Sequence, residues 1–250
     1  MKISIVTAVF NRASTLEAAI RSVQTQSYRN VEHIIQDGGS SDGTLDIARR
    51  LATESTSIVS EPDSGIYDAI NRGIRRATGD VIGLMHSDDV FANPHVLSRV
   101  AERFDDPNID GVYGDLQYVS AKDVGYVVRY WRSGEYHRNN LYFGWMPPHP
   151  TLYLRRQTFE RWGMYDASMR ISADYDAMLR YLVKGGIKVA YIPEVMVKMR
   201  TGGESNRSFS RIVSKSREDL SAIRRNGVGG IGTLILKNIR KIGQFVDKDG

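Results

Sequence analysis

The stretch Val81-Ile82-Gly83-Leu84-Met85-His86-Ser87-Asp88-Asp89 decides the fold class. Its apolar first part predicts a buried strand from Val81 to His86, and the two aspartates follow where that strand would leave the sheet. Open α/β sheets bind their ligands at this edge. Adjacent carboxylates repel each other unless something positive holds them, and a divalent cation with oxygen ligands suits that role. The alternative is an aspartate pair that caps the helix following Asn93-Pro94.

Strand and helix patterns alternate on both sides of this stretch, which predicts a parallel sheet with right-handed crossovers. After Gly111 the strands become shorter, and the last part of the chain has a helical pattern. The predicted strands are Ile3 to Val9, Val31 to Gln36, Ser57 to Ser60, Val112-Tyr113, Leu116 to Val119, Tyr126 to Tyr130, Thr151 to Leu154 and Ile187 to Ile192, and the clearest predicted helices are Leu45 to Ala52, Ile66 to Ala77 and Asp174 to Lys184.

Composition excludes several classes of protein. The chain has 250 residues and no Cys, so neither a disulfide framework nor a cysteine-based zinc site or nucleophile is available. The absence of Cys fits a reducing cytosol. We expect no secretory signal and no membrane span, because the first residues enter a strand directly and no apolar run is long enough.

Positive charge is concentrated in the last fifth of the chain. The formal net charge is +5. From Lys198 to Gly250 there are twelve Lys or Arg against five Asp or Glu, which leaves residues 1 to 197 slightly acidic. A nucleic-acid enzyme more often carries its basic charge across the main domain, so we expect no nucleic-acid partner.

Acidic residues follow three of the predicted strands. Asp37, Asp63 and the Asp88/Asp89 pair each come just after a strand, so one crevice can collect all of them. The turn after the first strand, Phe10 to Ser14, lacks the glycines of a dinucleotide-binding loop, and no phosphate-binding Gly-Lys loop is present. A metal and basic side chains are therefore expected to neutralise the phosphates of any bound nucleotide.

Together these motifs resemble family 2 of the GT-A glycosyltransferases, in particular its bacterial polysaccharide-assembly members. The likeness covers about residues 1 to 205. The residues that carry it are Ser4 to Arg12, Asp37-Gly38-Gly39-Ser40-Ser41-Asp42-Gly43-Thr44, Ser60 to Asn71, Ser87-Asp88-Asp89 and Ile171-Ser172-Ala173-Asp174-Tyr175-Asp176.

The resemblance implies a fold and a donor site. The fold would be a GT-A, Rossmann-like, mostly parallel sheet flanked by helices, with a C-terminal helical tail. Asp37 would contact the nucleobase and Asp63 the base or ribose. Asp88 would bind ribose or metal, and Asp89 would bind the Mn²⁺ or Mg²⁺ ion, which absorbs charge on the departing diphosphate.

The resemblance also assigns acceptor-side candidates. Asp174 would be the general base that takes the acceptor proton, with Asp176 as the fallback; Asp174 could instead be a helix N-cap. His149 could orient a substrate or balance the charge of the base, or be an ordinary loop residue. Trp145 could meet a sugar or pack under its loop. Arg200 would close a mobile loop over the diphosphate, or lie in a solvated basic turn.

Two positions depart from the family pattern. His86 stands where many relatives have the first acid of the signature, which puts the metal affinity or choice in doubt. Ile70 precedes Asn71 where many relatives have an arginine, which removes one expected anchor for the nucleotide.

These features predict a metal-dependent inverting glycosyltransferase that moves one sugar from a nucleoside-diphosphate sugar to a saccharide or lipid-linked acceptor. UDP-sugars are favoured, with GDP or dTDP as alternatives. Residues 1–115 would form the nucleotide-sugar half, 116–203 the acceptor and catalytic half, and 204–250 a basic tail. The alternative functions are a nucleotidyltransferase and a non-catalytic nucleotide-binding scaffold.

The tail is predicted to be amphipathic. Ile231, Leu234, Ile235, Ile242 and Phe245 fall mostly on one helical face, and Lys237, Arg240 and Lys241 lie towards its flanks. Such a helix could lie on the inner face of the cytoplasmic membrane, pack on its own domain, or join two copies of the chain.

Overall fold

The protein is built around one nine-stranded sheet. The computed structural model describes residues 1–202 and 209–243. Gly203, the last residue of the predicted catalytic half, and Phe245 of the predicted tail lie outside the described residues. The strands are β1 (Ile3–Val9), β2 (Val31–Asp37), β3 (Thr56–Ser60), β4 (Val81–Leu84), β5 (Val90–Phe91), β6 (Gly111–Val119), β7 (Val127–Trp131), β8 (Tyr153–Arg155) and β9 (Val189–Arg200).

The strand order places four parallel neighbours side by side. The order is β3-β2-β1-β4-β8-β6-β9-β5, with β7 paired to β6. Strands β1 to β4, β6 and β9 run in one direction, and β5, β7 and β8 run in the other. The carboxyl ends of β1 to β4 therefore meet at one edge, as the sequence predicts.

Helices cover both faces of the sheet. Strand β1 is buried along its whole length and is mostly apolar. Its buried Ser4 and Thr7 hydrogen-bond to Glu32 and His33. A side chain at Gly73 would collide with Val6, so this glycine lets its helix lie directly on β1. The helices are α1 (Leu16–Gln24), α2 (Thr44–Arg50), α3 (Ile66–Arg76), α4 (Val96–Arg103), α5 (Arg156–Trp162), α6 (Ala173–Leu179), α7 (Phe209–Arg225) and α8 (Ile231–Gly243), with 3₁₀ turns at Arg138–Phe143 and His149–Thr151 and a π turn at Arg180–Lys184 that continues α6.

The α/β class, the mostly parallel sheet and the helical C-terminal portion are confirmed. Two strand predictions were too short. Residues 112–119 form one strand instead of two, and the last strand continues past Ile192 to Arg200 because it pairs with β6 and then with β5. Across residues 1–202 and 209–243, no helix has both the length and the apolar character that a bilayer crossing requires.

Candidate active site

The acidic residues predicted to share a crevice lie at the edge where β2, β3 and β4 end. Asp37 is the last residue of β2, Asp63 follows β3, and Asp88 and Asp89 lie between β4 and β5. The first two are in direct proximity, because a Cβ added at Gly38 would lie 2.5 Å from Asp63 Oδ2. Glycine at position 38 thus lets the Asp63 carboxylate approach the β2 loop closely.

The Asp37 carboxylate is fully engaged by its own loop. It is buried, and its Oδ2 accepts hydrogen bonds from Ser60 Oγ (2.6 Å), the Ser40 N–H (3.0 Å) and the Gly39 N–H (3.2 Å). Its Oδ1 accepts a further bond from the Ser40 hydroxyl. These donors satisfy the buried charge and tie the β2 loop to the end of β3.

Asp63 is half-buried and has fewer partners. Its Oδ1 accepts a hydrogen bond from the Gly65 N–H at 2.8 Å, which organises the turn before α3. The remaining carboxylate oxygen faces the backbone of Gly38. Asp63 therefore keeps an acceptor near the mouth of the crevice.

Asp89 is buried with an incomplete set of partners. Its Oδ1 accepts the Arg200 backbone N–H at 3.1 Å, but its buried Oδ2 has no hydrogen-bond partner among the described residues. Burial, together with the negative charge of the neighbouring Asp88, raises the pKa of Asp89 well above its ordinary value. The Arg200 backbone N–H and guanidinium offset only part of this effect, so a further positive charge would stabilise an ionised Asp89.

A divalent cation fits this requirement in part. Within residues 1–202 and 209–243, no cluster of three or more His, Asp or Glu side chains could hold a metal unaided. The orphaned Asp89 Oδ2 and the adjacent, half-buried Asp88 offer oxygen ligands. Mg²⁺-type sites often use one or two carboxylates and complete their coordination with substrate phosphates. The residues present thus fit a metal that arrives with, or is completed by, a phosphorylated ligand.

Asp174 is held at the start of α6 by two side chains. Its Oδ2 lies 3.1 Å from His149 Nδ1, and its Oδ1 lies 3.1 Å from the Tyr67 hydroxyl, which also lies 2.7 Å from the Ile171 carbonyl. Burial alone would raise the pKa of Asp174, but His149, Lys237, a backbone N–H and Tyr67 together hold that pKa below its usual value. Asp174 is thus an ionised carboxylate that can accept a proton.

The base candidate is connected to the signature loop, which we define as Ser87 to Asp89. His149 Nε2 lies 3.0 Å from the Nε2 of His86, the residue immediately before that loop. Burial lowers the pKa of His149 to about 4 and also lowers the pKa of His86, so both rings are neutral near pH 7. The contacts form a chain from His86 through His149 to Asp174, which we call the His–His–Asp chain.

Glu218 of α7 holds the segment that leads into α6. Its carboxylate accepts the backbone N–H groups of Ile171 and Ser172, both at 2.8 Å, and of Arg170 at 3.0 Å. This contact crosses 46 to 48 residues of sequence, and no local motif indicates it. The predicted tail therefore contributes directly to the position of Asp174.

Two acceptor-side candidates have structural partners. Asp176 is buried, accepts a 3.0 Å bond from the Asn226 amide and lies 3.8 Å from both Arg180 and Arg225. Trp145 is also buried, donates its indole N–H to the Ser133 carbonyl at 2.7 Å, and packs in the core. Trp145 therefore packs under its loop, which is one of the two alternatives that the sequence leaves open.

Arg200 lies at the end of β9 and not in a loop. It pairs with Val119, and its guanidinium donates to the Ala121 carbonyl at 3.1 Å. Its backbone N–H is the single donor to Asp89 noted above. The position predicted as a mobile basic loop is therefore a strand terminus that supports the acidic pair.

Helix α8 faces the domain with both polar and apolar residues, and Lys237 is buried there instead of lying on a flank as predicted. Its ammonium lies 2.7 Å from Asp219 Oδ2 and 3.4 Å from the centre of the Tyr175 ring, and both charged side chains are buried. Ile231, Ile235 and Ile239, which we call the apolar stripe, are 59%, 52% and 54% exposed. The helix thus packs on its own domain through Thr233, Leu234 and Lys237, and none of the described residues covers the apolar stripe.

Comparison with known proteins gives a consistent result. Residues 4–172 match the model of Glycosyl transferase family 2. A PGL/p-HBAD biosynthesis glycosyltransferase of Mycobacterium tuberculosis is 31% identical over 208 residues, covering 81% of this chain and 78% of the relative. An uncharacterized glycosyltransferase of Nostoc is 33% identical over 126 residues, covering 49% of this chain and 39% of that protein.

Solved structures share the GT-A fold. S. aureus TarS has a TM-score of 0.68 at 16% identity, covering 89% of this chain, while this chain spans 40% of the TarS chain. The mannosyltransferase PcManGT from Pyrobaculum calidifontis, solved with GDP-Man and Mn²⁺, also has a TM-score of 0.68 at 16% identity, covering 98% of this chain and 73% of that one. The sequence motifs, the sheet and the family match agree: this chain belongs to glycosyl transferase family 2.

Proposed function

We propose that this chain is a metal-dependent, inverting glycosyltransferase of the hexosyltransferase type. It moves one sugar from a nucleoside-diphosphate donor to a saccharide or lipid-linked acceptor in surface polysaccharide or glycolipid assembly. The observation that carries the proposal is the His–His–Asp chain, whose contacts of 3.0 Å and 3.1 Å join His86, the residue before the signature loop, to an ionised Asp174. These contacts connect the proposed donor side of the site to the proposed base.

Asp174 serves as the general base. Its low pKa keeps it ionised, and a carboxylate offers about four acceptor sites, more than His149, Tyr67 and the Tyr175 N–H occupy. It removes the proton of the acceptor hydroxyl as that oxygen attacks the anomeric carbon. A single displacement of this kind inverts the configuration at that carbon.

The donor site uses the strand-end residues. Asp63 and the Asp37 loop bind the base and ribose, Asp88 binds ribose or metal, and Arg200 lies on the diphosphate side. Asp89, with Asp88 beside it, would hold Mn²⁺ or Mg²⁺, which neutralises charge on the departing diphosphate. A UDP-sugar is our favoured donor, with GDP or dTDP as alternatives. Both TarS, solved with UDP-GlcNAc, and PcManGT, solved with GDP-Man, support a nucleotide-sugar donor in general.

Substitution of the base tests the proposal. Asp174→Asn should lower sugar transfer by at least roughly 10²-fold, because a lost general base costs about that much, while donor affinity changes little. Asp176→Asn is the matched comparison, and we expect it to reduce stability more than turnover. Full loss of turnover in a folded Asp176→Asn protein, with Asp174→Asn active, would contradict the assignment of the base.

The donor and metal are tested by ligand-dependent stability. Binding to the native state raises the melting temperature, so a panel of UDP-, GDP- and dTDP-sugars with and without Mn²⁺ ranks the candidates. The expected result is the largest shift for a UDP-sugar with Mn²⁺. Sugar transfer that is unaffected by chelation of divalent metals would refute the metal dependence, and the absence of donor turnover would favour a nucleotide-binding scaffold.

The apolar stripe supports a peripheral membrane role for the tail. Exposed isoleucines at a spacing of four residues can enter the interface of an anionic bilayer, and Arg240 on the same helix can add attraction. Bound in this way, the enzyme would lie at the inner face of the cytoplasmic membrane, close to a lipid-linked acceptor.

Vesicle sedimentation tests that role. Changing Ile231, Ile235 and Ile239 to Ser together should reduce sedimentation with anionic vesicles, whereas Asn238→Ser on the same helix should not. A stripe variant that sediments like the parent refutes the membrane role. If the parent is a dimer and the stripe variant a monomer, the stripe joins two copies instead.

A further inference from the structure

His86 stands at the departure from the family pattern, and its ring faces the base side of the site. Its Nε2 lies 3.0 Å from His149 Nε2, and the two rings meet edge to face, with centroids 5.1 Å apart and planes at 72°. This distance is that of a nitrogen–nitrogen hydrogen bond. The contact joins residues 63 positions apart in the sequence.

The contacts determine which nitrogen of each ring carries a proton. Asp174 is ionised and accepts only, so the facing His149 Nδ1 must be the protonated nitrogen. A neutral His149 then has an unprotonated Nε2, which can only accept. The proton shared by the two rings must therefore belong to His86 Nε2.

We propose that His86 is a positioning residue for the transfer reaction, acting through His149 on the general base Asp174. This inference rests on the proposed function. The His86 N–H fixes the orientation of the His149 ring, and the His149 N–H in turn fixes one oxygen of the Asp174 carboxylate. The carboxylate is thereby kept turned towards the acceptor hydroxyl.

The same hydrogen bond removes one nitrogen of His86 from the possible metal ligands. Because His86 Nε2 donates to His149, that nitrogen has no lone pair to offer a cation. His86, which occupies the first position of the acidic signature, thus acts on the general base and not on the nucleotide. The Nδ1 of His86 keeps a lone pair, so the metal response of His86 variants decides whether this nitrogen joins Asp88 and Asp89 in binding a cation.

Amide substitutions at position 86 give a sharp test. Gln places an N–H close to the position of imidazole Nε2, whereas the shorter Asn does not reach it. His86→Asn should lower kcat by roughly tenfold or more, because small misplacements of a catalytic group have effects of that order, and the donor KM should change less than about twofold. His86→Gln should keep most of the parent kcat. The exposed His137→Asn is the matched control and should have no effect.

Metal response separates positioning from ligation. The Mn²⁺ concentration that gives half of the maximal thermal stabilisation should be the same in His86→Asn and the parent. Three results would overturn the proposal: equal kcat in His86→Asn and the parent, equal losses in the Asn and Gln variants, or a shift in Mn²⁺ response or donor KM with kcat unchanged.

A spectroscopic measurement keeps this inference apart from the proposed function. Long-range ¹⁵N–¹H NMR of histidine-labelled parent protein identifies the protonated nitrogen of each of its five histidines, assigned with the single variants. Protonated Nε2 in His86 and protonated Nδ1 in His149 are expected. Unprotonated Nε2 in His86 overturns the proposal even if the enzyme is active. If no donor is turned over, the proposed function is wrong, and the positioning role is wrong with it. The assignment of the protonated nitrogens in His86 and His149 would still be correct.

Discussion

The loops after β2 and β4 each place a buried aspartate at the same edge of the sheet, but the two carboxylates have opposite surroundings. Asp37 accepts hydrogen bonds from two backbone N–H groups and two serine hydroxyls. Asp89 accepts only one backbone N–H, and its second oxygen is buried without a partner among the described residues. The first carboxylate is satisfied by the donors around it, whereas the second is not.

The comparison is informative because the two sequence motifs look alike. Each is an acid at the end of an apolar strand, followed by a polar turn. Only the donors around the carboxylate distinguish structural support from ligand binding. A buried acid that is satisfied by its own loop stabilises the fold, while an unsatisfied one costs stability until it is neutralised.

The largest effect is expected at Asp37. Asp37→Asn removes the charge and turns an amide N–H₂ towards donors, so it should lower the free energy of unfolding by about 3 kcal/mol. Urea denaturation with an unchanged slope measures this loss. Asp63→Asn, which affects a half-buried carboxylate with a single backbone donor, should cost less than about 1 kcal/mol. Equal losses in the two variants would contradict the structural role of Asp37.

Substitution of Asp89 should change the free energy of unfolding in the opposite direction. Without metal near pH 7, Asp89→Asn should raise the free energy of unfolding by on the order of 1–2 kcal/mol, because a buried charge without a partner is replaced by a neutral amide. Divalent metal with donor should stabilise the parent and not the variant. A metal-free Asp89→Asn protein less stable than the parent would show that the carboxylate is already satisfied.

The difference in stability between the parent and Asp89→Asn should change with pH in one direction. The folded-state pKa of Asp89 is raised above its unfolded value, so below about pH 3.9 the residue is protonated in both states and the difference vanishes. As the pH rises from that value through the raised pKa, the parent loses stability relative to Asp89→Asn. Unfolding of both proteins from pH 4 to pH 8 checks this.

The sequence predicts the architecture of this edge well. Alternating strand and helix patterns, together with acids after three strands, are enough to bring Asp37, Asp63 and the Asp88/Asp89 pair to one edge of the sheet. The end of β9 was missed because Pro193 and Glu194 interrupt the strand pattern after Ile192, and the pairing with β6 shifts register there. The residues from Val195 to Arg200 follow this interruption. They form a strand through pairing with distant β5 and β6 residues.

Contacts between distant segments account for what the sequence could not predict. Nothing near His86 indicates that its partner is His149, and nothing near Asp174 indicates that Glu218 holds the segment before it. Helix α8 has an amphipathic pattern, which favours an apolar face on the protein. The burial of Lys237 reverses this, because Asp219 neutralises it and the Tyr175 ring covers it.

The smallest effect is expected at Ser60, which donates to Asp37 from the end of β3. Ser60→Ala removes one charge-assisted hydrogen bond at an exposed residue and should cost about 1 kcal/mol. In the Asp37→Asn background the same change should cost much less, because the charge that strengthened the bond is gone. Additive losses in the double variant would mean that Ser60 stabilises β3 independently of Asp37. A clear coupling would show that the Asp37 carboxylate joins β2 to β3 and so fixes the position of Asp63.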